Sequence, residues 1–128
     1  MTPSSLKRSK NKCTVAQVFH ILNKDAAEHF RVSGSYAPKS LLEDGFIHLS
    51  YAQQVCRVAD FLYRGREDLV LLELEEAELD GLVLEANPGS SELFPHLYTA
   101  LRLQQVKRVY PFPCDKTGRF TLPNLGWA

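Results

Sequence analysis

The sequence predicts a single α+β domain, in which short strands form antiparallel or mixed sheets and two principal helices pack beside them. Three observations support this class. The chain has 128 residues, the usual size of one domain. Short apolar runs outnumber the segments of helical spacing, and neither an internal repeat nor a regular alternation of strands and helices occurs. We expect about six short strands.

The first strand and the first helix are predicted in the first third of the chain. Residues 15–22 are mostly apolar and rich in residues that favour strands, so they predict a strand with His20 on one face. Asp25 and Glu28 have the spacing of a capping box, which opens a helix. Gly34 can end this helix in the left-handed conformation.

A second strand and the most regular helix follow. Residues 46–49 predict a short strand, and residues 50–53 have capping-box spacing ahead of an apolar periodicity that is typical of a helix. Residues 69–72 form a continuous apolar run, which predicts a strand covered on both faces at the centre of a sheet. Residues 82–84 predict another strand.

The last third of the chain contains loops and short strands. Residues 87–91 favour turn geometry and predict a loop. Pro95 argues against a central strand in the segment that follows, because proline lacks the backbone N–H that a ladder needs. Residues 109–112 and residues 120–122 predict the last two strands.

The charges are balanced, with fifteen Lys and Arg against fifteen Asp and Glu, so composition gives no net field that would draw nucleic acid or an anionic membrane to the protein. Residues 1–12 are polar and basic, and we expect a disordered arm there, with a single folded domain over residues 13–128. The three cysteines are widely spaced and no apolar run could span a bilayer. We therefore expect a soluble cytoplasmic protein.

Several common active-site motifs are missing. The seven glycines stand apart, which excludes the Rossmann and P-loop fingerprints. No Cys-x-x-Cys, His-x-x-x-His or nucleophile-elbow motif occurs, which disfavours a redox enzyme, a zinc hydrolase and an α/β-hydrolase. The remaining candidates for chemistry are histidines whose neighbours in the sequence are apolar.

Four polar residues are the main candidates for chemistry. His48 ends a predicted strand just before a helix. Glu85 follows an apolar strand, from which it can project into a cavity with a raised pKa, as acid–base chemistry needs. His96 and Tyr98 alternate along one segment, so both face the same side if it is extended. A purely structural explanation stays open for each of them. His48 would be a half-buried histidine bonded to backbone, Glu85 a carboxylate at a sheet rim, and His96 with Tyr98 part of a buried hinge.

Two further residues have weaker signals. His20 is either a ligand-binding residue or a histidine satisfied at the edge of the core. Ser50 is either a binding residue or the cap of the helix that follows it.

Four segments together resemble the DUF952 family: residues 19–22, 45–50, 68–72 and 94–98, which read FHIL, GFIHLS, DLVLL and FPHLY. The resemblance covers roughly residues 15–113. It implies a fold similar to that of ADP-ribosyltransferases, with two small split antiparallel sheets and a cleft between them that holds NAD in active relatives.

The resemblance also implies roles for individual residues. His20, Ser50 and Glu85 follow the order of a transferase pattern in which the histidine grips the nicotinamide ribose and the glutamate polarises a ribose hydroxyl. The chain departs from that pattern at Ile21 and Leu22, where Gly-Thr is common. NAD is thus a candidate substrate, and the imidazoles could instead serve phosphate or ribose groups, as in related RNA phosphotransferases.

Three functional hypotheses follow. The first is an enzyme or former enzyme that binds a nucleotide-like ligand (NAD, ADP-ribose or phosphorylated RNA), with catalytic residues His48, Glu85 and His96 and ligand-binding residues His20, Ser50 and Tyr98. The alternative is a non-catalytic binding or regulatory module that keeps the fold. The third is a metal-dependent hydrolase that uses the two catalytic histidines and the glutamate, although we assign no metal ligand.

Overall fold

The computed structural model describes residues 16–125. The arm predicted for residues 1–12 lies outside this range. The described part of the chain has three α-helices and nine strands, with single 3-10 turns at Glu76–Glu78 and Leu103–Gln105. In chain order the elements are β1 (Gln17–Asn23), α1 (Lys24–Ser33), β2 (Ser35–Tyr36), α2 (Lys39–Glu43), β3 (Ile47–His48), β4 (Ser50–Tyr51), α3 (Ala52–Leu62), β5 (Leu69–Glu75), β6 (Leu82–Ala86), β7 (Leu93–Leu97), β8 (Leu101–Arg102) and β9 (Val106–Pro111).

The strands form three small antiparallel sheets. One has four strands in the order β9-β5-β1-β4, another has three in the order β3-β7-β6, and β2 pairs with β8. The α+β class and the two principal helices are confirmed, since α1 and α3 have ten and eleven residues and α2 only five. The third sheet was not predicted, because strands of two residues leave no periodicity to detect.

The four-stranded sheet divides the core. Strand β5 lies between β9 and β1, and every residue from Leu69 to Leu74 is buried, so the prediction of a central strand is confirmed. Side chains alternate along β1. Val18 therefore packs into one apolar cluster with Leu97, whereas Phe19 packs into the other with Val55 of α3.

Both long helices begin one or two residues away from the predicted caps. The Asn23 side chain, not that of Asp25, accepts the Ala26 N–H at 2.7 Å and caps α1, because the residues around Asp25 are already helical. Gly34, with φ 82°, ends α1 as predicted.

The start of α3 is displaced by one residue. Ser50 pairs with Phe19 in the ladder between β4 and β1, so the chain is still extended there. The helix therefore starts at Ala52, and Gln54 accepts the Tyr51 N–H at 3.0 Å.

The expectation for Pro95 was wrong, because β7 is the central strand of its sheet. The Pro95 carbonyl accepts the Leu49 N–H at 3.1 Å, so its nitrogen faces the same side. Strand β3 ends at His48. The missing donor thus falls where the ladder stops, and the proline costs one terminal hydrogen bond.

The expectation of a last strand over residues 120–122 was also wrong. This segment has no ladder partner among the described residues. Phe120 is instead anchored by its side chain in the apolar cluster around Phe19 and by its N–H, which donates to Asp60 Oδ1 at 2.8 Å. Within residues 16–125, no helix combines the length and the apolar character needed to cross a membrane.

Candidate functional site

The three-stranded sheet brings the predicted site residues together. His96 of β7 is paired directly with His48 of β3 on one side and with Val83 of β6 on the other. Residues that are directly paired across antiparallel strands face the same side of the sheet. Glu85 and Tyr98 each lie two residues from this row and share its face.

Glu85 joins three of these positions. Its Oε1 accepts a hydrogen bond from His96 Nδ1 at 2.9 Å and another from the Tyr98 hydroxyl. The two bonds, that of Tyr98 first, hold the pKa of Glu85 below its ordinary value, so the expectation of a raised pKa was wrong. The same carboxylate raises the pKa of Tyr98. Alternation predicted that His96 and Tyr98 face the same side, and in the structure both side chains bond to the same Glu85 oxygen.

Phe46 lies against both histidines. Its ring is stacked on that of His96 with centroids 3.9 Å apart, and its centroid lies 4.7 Å from that of His48. The two imidazoles meet edge to face at 5.6 Å. Sequence reasoning missed Phe46, although alternation over residues 46–48 places it on the same side as His48.

His96 is almost fully enclosed, with its side chain 3% exposed. Nδ1 is bonded to Glu85, whereas Nε2 is buried without any hydrogen-bond partner in the described structure. Buried polar atoms are nearly always satisfied. An unpartnered imidazole nitrogen therefore requires an explanation, such as a ligand.

His48 is the more accessible of the pair, with its side chain half exposed. Its Nε2 lies 3.1 Å from Asp44 Oδ2. Sequence reasoning missed Asp44, which lies four residues before His48. Each imidazole of the pair thus has a carboxylate on one nitrogen, Asp44 for His48 and Glu85 for His96.

His20 is buried behind His48. Its Nδ1 lies 2.9 Å from the His48 carbonyl oxygen, and its Nε2 lies 2.8 Å from the Tyr36 hydroxyl. Burial lowers the pKa of His20 to about 4, so it is neutral near pH 7. Burial also raises the pKa of Tyr36 to about 12. Sequence reasoning missed Tyr36, which sits in a two-residue strand.

A cavity of about 830 Å³ opens beside these residues. Its lining includes His20, His48, Ser50 and His96, which come from both larger sheets. Glu85 and Tyr98 do not line it. The structure therefore brings four of the six predicted site residues to one cavity and places the other two in contact with His96.

The remaining wall of the cavity is largely apolar. Helix α3 contributes Val58, Phe61 and Leu62, and Phe61 is 86% exposed. Arg57 of the same helix forms a bidentate ion pair with Glu92, at 2.9 and 2.6 Å, on the loop that leads into β7. The size and the few polar groups are typical of a small-molecule site.

The described residues show no cluster of three or more His, Cys, Asp or Glu side chains arranged to hold a metal ion. The set named in the hydrolase hypothesis does not form one, because Glu85 lies on the Nδ1 side of His96 and His48 is paired with Asp44.

Comparison with solved structures gives close matches. The chain is similar to the crystal structure of protein CC0527 from Caulobacter crescentus, with 33% identity, a TM-score of 0.74, and coverage of 83% of this chain and 94% of that chain. The crystal structure of a double mutant of CC0527 matches at 32% identity with the same coverage and a TM-score of 0.75. Its solution NMR structure matches at 33% identity, with a TM-score of 0.74 and coverage of 80% and 90%.

No curated protein matches the chain. The family model described as "Protein of unknown function (DUF952)" matches residues 21–109, which include β3, β7 and every predicted site residue except His20. The match covers most of the chain, and the chain is a member of the DUF952 family.

Proposed function

We propose that this protein binds a nucleotide-like ligand in the cavity and carries out acid–base chemistry on it, with His96 as the general base. One observation carries the proposal: His96 Nε2 is buried and unpartnered on a residue that lines the cavity. The opposite nitrogen is held by a carboxylate, as in the histidines of hydrolase triads.

Each group has a role in the proposed chemistry. Glu85 accepts the Nδ1–H, which leaves the lone pair of the neutral ring on Nε2. A ligand hydroxyl that donates to Nε2 transfers its proton there as its oxygen bonds to an electrophilic carbon or phosphorus atom, and the bond from that atom to the leaving group breaks. Glu85 stabilises the imidazolium that forms. Glu85 is therefore a positioning residue in this proposal, and Tyr98 positions Glu85 in turn.

His48 is the second acid–base group of the proposal. Its Nδ1 has no partner among the described residues, while Asp44 holds Nε2. With the two rings 5.6 Å apart, His48 can donate a proton to a leaving group while His96 accepts one from the nucleophile. The pair returns to its starting state when the two protons are exchanged with water.

The ligand class is inferred from the residues that line the cavity and from the fold. The apolar side chains of α3 and Phe94 can pack against a base or a nicotinamide ring. A cavity lined from two small antiparallel sheets is what an ADP-ribosyltransferase-like fold would provide, so NAD and ADP-ribose are the first ligands to test and phosphorylated RNA the next. We place the protein in the cytoplasm as part of this proposal, since Cys56 and Cys114 are free thiols.

Calorimetry and turnover assays with NAD, ADP-ribose and 2′-phosphorylated RNA test the proposal. We expect the wild-type protein to bind at least one of them. His96→Asn keeps a donor for Glu85 but removes Nε2, so it should lower turnover by about 100-fold or more while weakening binding by no more than about tenfold, the worth of one hydrogen bond. His29→Asn, at an exposed position of α1, is the matched control. The absence of heat with all three ligands would refute the proposal.

The non-catalytic alternative is favoured by one feature, the near-complete enclosure of the His96 ring. In that case the ring would serve packing against Phe46 alone. The wild-type protein would then bind a ligand without converting it, and His96→Asn would leave binding unchanged.

A further inference from the structure

His20 and Tyr36 both line the cavity, and the tautomer of His20 fixes the direction of the hydrogen bond between them. A backbone carbonyl can only accept, so the bond at 2.9 Å to the His48 oxygen requires the proton of His20 to be on Nδ1. Burial lowers the pKa of His20 to about 4, and the ring is therefore neutral near pH 7. His20 Nε2 then carries a lone pair.

That lone pair determines the orientation of the Tyr36 hydroxyl. The Tyr36 oxygen lies 2.8 Å from His20 Nε2 and must donate its single proton to it. Tyr36 packs against the rings of Phe30 and His20, with centroids 5.4 and 5.2 Å away, so this arrangement is rigid. The Tyr36 oxygen is left with lone pairs only, on a residue that lines the cavity.

His96 presents the same polarity. Its Nδ1–H is used by Glu85, and a proton on Nε2 would be a buried donor without an acceptor. The form that avoids this cost is neutral, with a lone pair on Nε2. The Tyr36 oxygen and His96 Nε2 are thus both acceptors on residues that line the cavity.

The cations around the cavity do not change this balance. Each of the three lysine and arginine side chains has a carboxylate partner: Arg57 with Glu92, Arg66 with Asp68 and Lys39 with Glu43. His48, the proton donor of the proposed function, is likewise held by Asp44. Phosphate binding in proteins relies on unpaired cations or convergent N–H donors. A phosphate beside Tyr36 would face lone pairs instead.

We propose that the two acceptors on lining residues, the Tyr36 oxygen and His96 Nε2, select a neutral hydroxyl-bearing group, the ribose of a nucleoside, and do not accept a phosphate. This inference rests on the ligand site of the proposed function and names the part of the ligand that enters it. Any phosphate of a larger ligand would then lie away from Tyr36 and His96.

The test uses adenosine and inorganic phosphate as separate probes on the full chain. We expect adenosine to bind and inorganic phosphate not to compete with it. Tyr36→Phe keeps the ring and removes the acceptor, and should weaken adenosine binding by about five- to tenfold, the worth of one hydrogen bond. Tyr51→Phe removes a phenol that bonds Glu76 away from the cavity and should leave the affinity unchanged.

A second measurement does not depend on ligand binding. Nitrogen-15 NMR of the histidines should show His20 with its proton on Nδ1 and without protonation between pH 5 and 8. A proton on Nε2, competition by phosphate, an unchanged adenosine affinity in Tyr36→Phe, or no adenosine binding would each overturn the inference. Binding of NAD or ADP-ribose that persists in any of those cases would leave the proposed function standing.

Discussion

His96 Nδ1 and Glu85 Oε1 lie 2.9 Å apart across the ladder between β7 and β6, although the His96 side chain is almost fully buried and that of Glu85 is 39% exposed. The carboxylate can keep contact with water while it fixes the buried ring. It therefore sets the orientation of the imidazole without the cost of burying a charge.

The Glu85 contacts should make stability depend on pH in acid. Hydrogen bonds from Tyr98 and His96 lower the pKa of folded Glu85 below its ordinary value of 4.5. A lowered folded-state pKa gives a contribution that is complete above pH 4.5 and is lost as pH falls through the folded pKa. Glu85→Gln cannot titrate, so we expect its deficit in Tm relative to wild type to be constant from pH 6 to 8 and to shrink below pH 4.5.

The control for Glu85 is Glu67→Gln, at an exposed position that has no ion-pair partner in the described part of the chain. Its Tm difference from wild type should be small at every pH. A Glu85→Gln deficit that stays the same between pH 7 and pH 3 would show that the carboxylate charge contributes nothing.

His20 should make the stability of the fold depend on pH in a higher range than Glu85 does. Its pKa falls from 6.5 to about 4 on folding, so the unfolded chain binds more protons between these values. Stability then decreases as pH falls from 6.5 to 4, by about 3 kcal/mol for a shift of this size. His20→Asn, which keeps a donor for the His48 carbonyl, should lose this slope in urea unfolding measured at several pH values.

The matched variant for His20 is His29→Asn, whose side chain is exposed on α1. We expect its unfolding free energy to follow that of wild type from pH 4 to 7. A wild-type slope that survives in His20→Asn would assign the pH dependence to other groups.

Local patterns in the sequence predicted local features well. The apolar run of β5 gave a buried central strand, and Gly34 ended α1 where expected, because each depends on a few neighbouring residues. His96 and Tyr98 share a partner because alternation within one strand fixes which side both occupy.

Features that depend on pairing between distant segments could not be predicted. Phe46 meets His96 only because β3 pairs with β7, and Tyr36 joins the site only because His20 reaches across to β2. Pro95 was misjudged for the same reason, since its cost depends on where β3 ends. No single-sequence pattern contains that information.

Gln54 should be a strong stability determinant for its size. It is 5% exposed, its Oε1 accepts the Tyr51 N–H, and its Nε2 donates to Glu92 Oε2 at 3.0 Å and to the Leu93 carbonyl at 2.9 Å. Gln54→Ala leaves three groups to find new partners and should lower the unfolding free energy by about 2–3 kcal/mol. Urea unfolding monitored by circular dichroism measures this change.

The neighbouring Gln53 gives a control in the same helix turn. Gln53 is exposed, and Gln53→Ala should change stability by no more than about 0.5 kcal/mol. Equal effects of Gln53→Ala and Gln54→Ala would mean that helix propensity alone, and not the contacts of Gln54, determines the loss.

Gly81 supports the site through the turn before β6. Its φ is 82°, its carbonyl accepts the Tyr98 N–H at 2.9 Å, and an added Cβ would lie 3.1 Å from Thr99 Cγ2. Gly89 has the same φ with no atom within 4 Å of an added Cβ. Gly89→Ala should therefore cost roughly 1–2 kcal/mol for the left-handed backbone alone, and Gly81→Ala about 1 kcal/mol more, because Thr99 must move.

The larger effect of Gly81→Ala should reach the site. A shift of the Thr99 segment moves Tyr98, the first of the two donors that hold the pKa of Glu85 down. We expect the Glu85 carboxyl to titrate at a higher pH in Gly81→Ala than in Gly89→Ala, as followed by carbon-13 NMR. Both glycines carry the same backbone strain. Equal unfolding free energies and equal Glu85 titrations in the two variants would therefore show that the turn at Gly81 has no effect on the contact between Glu85 and His96.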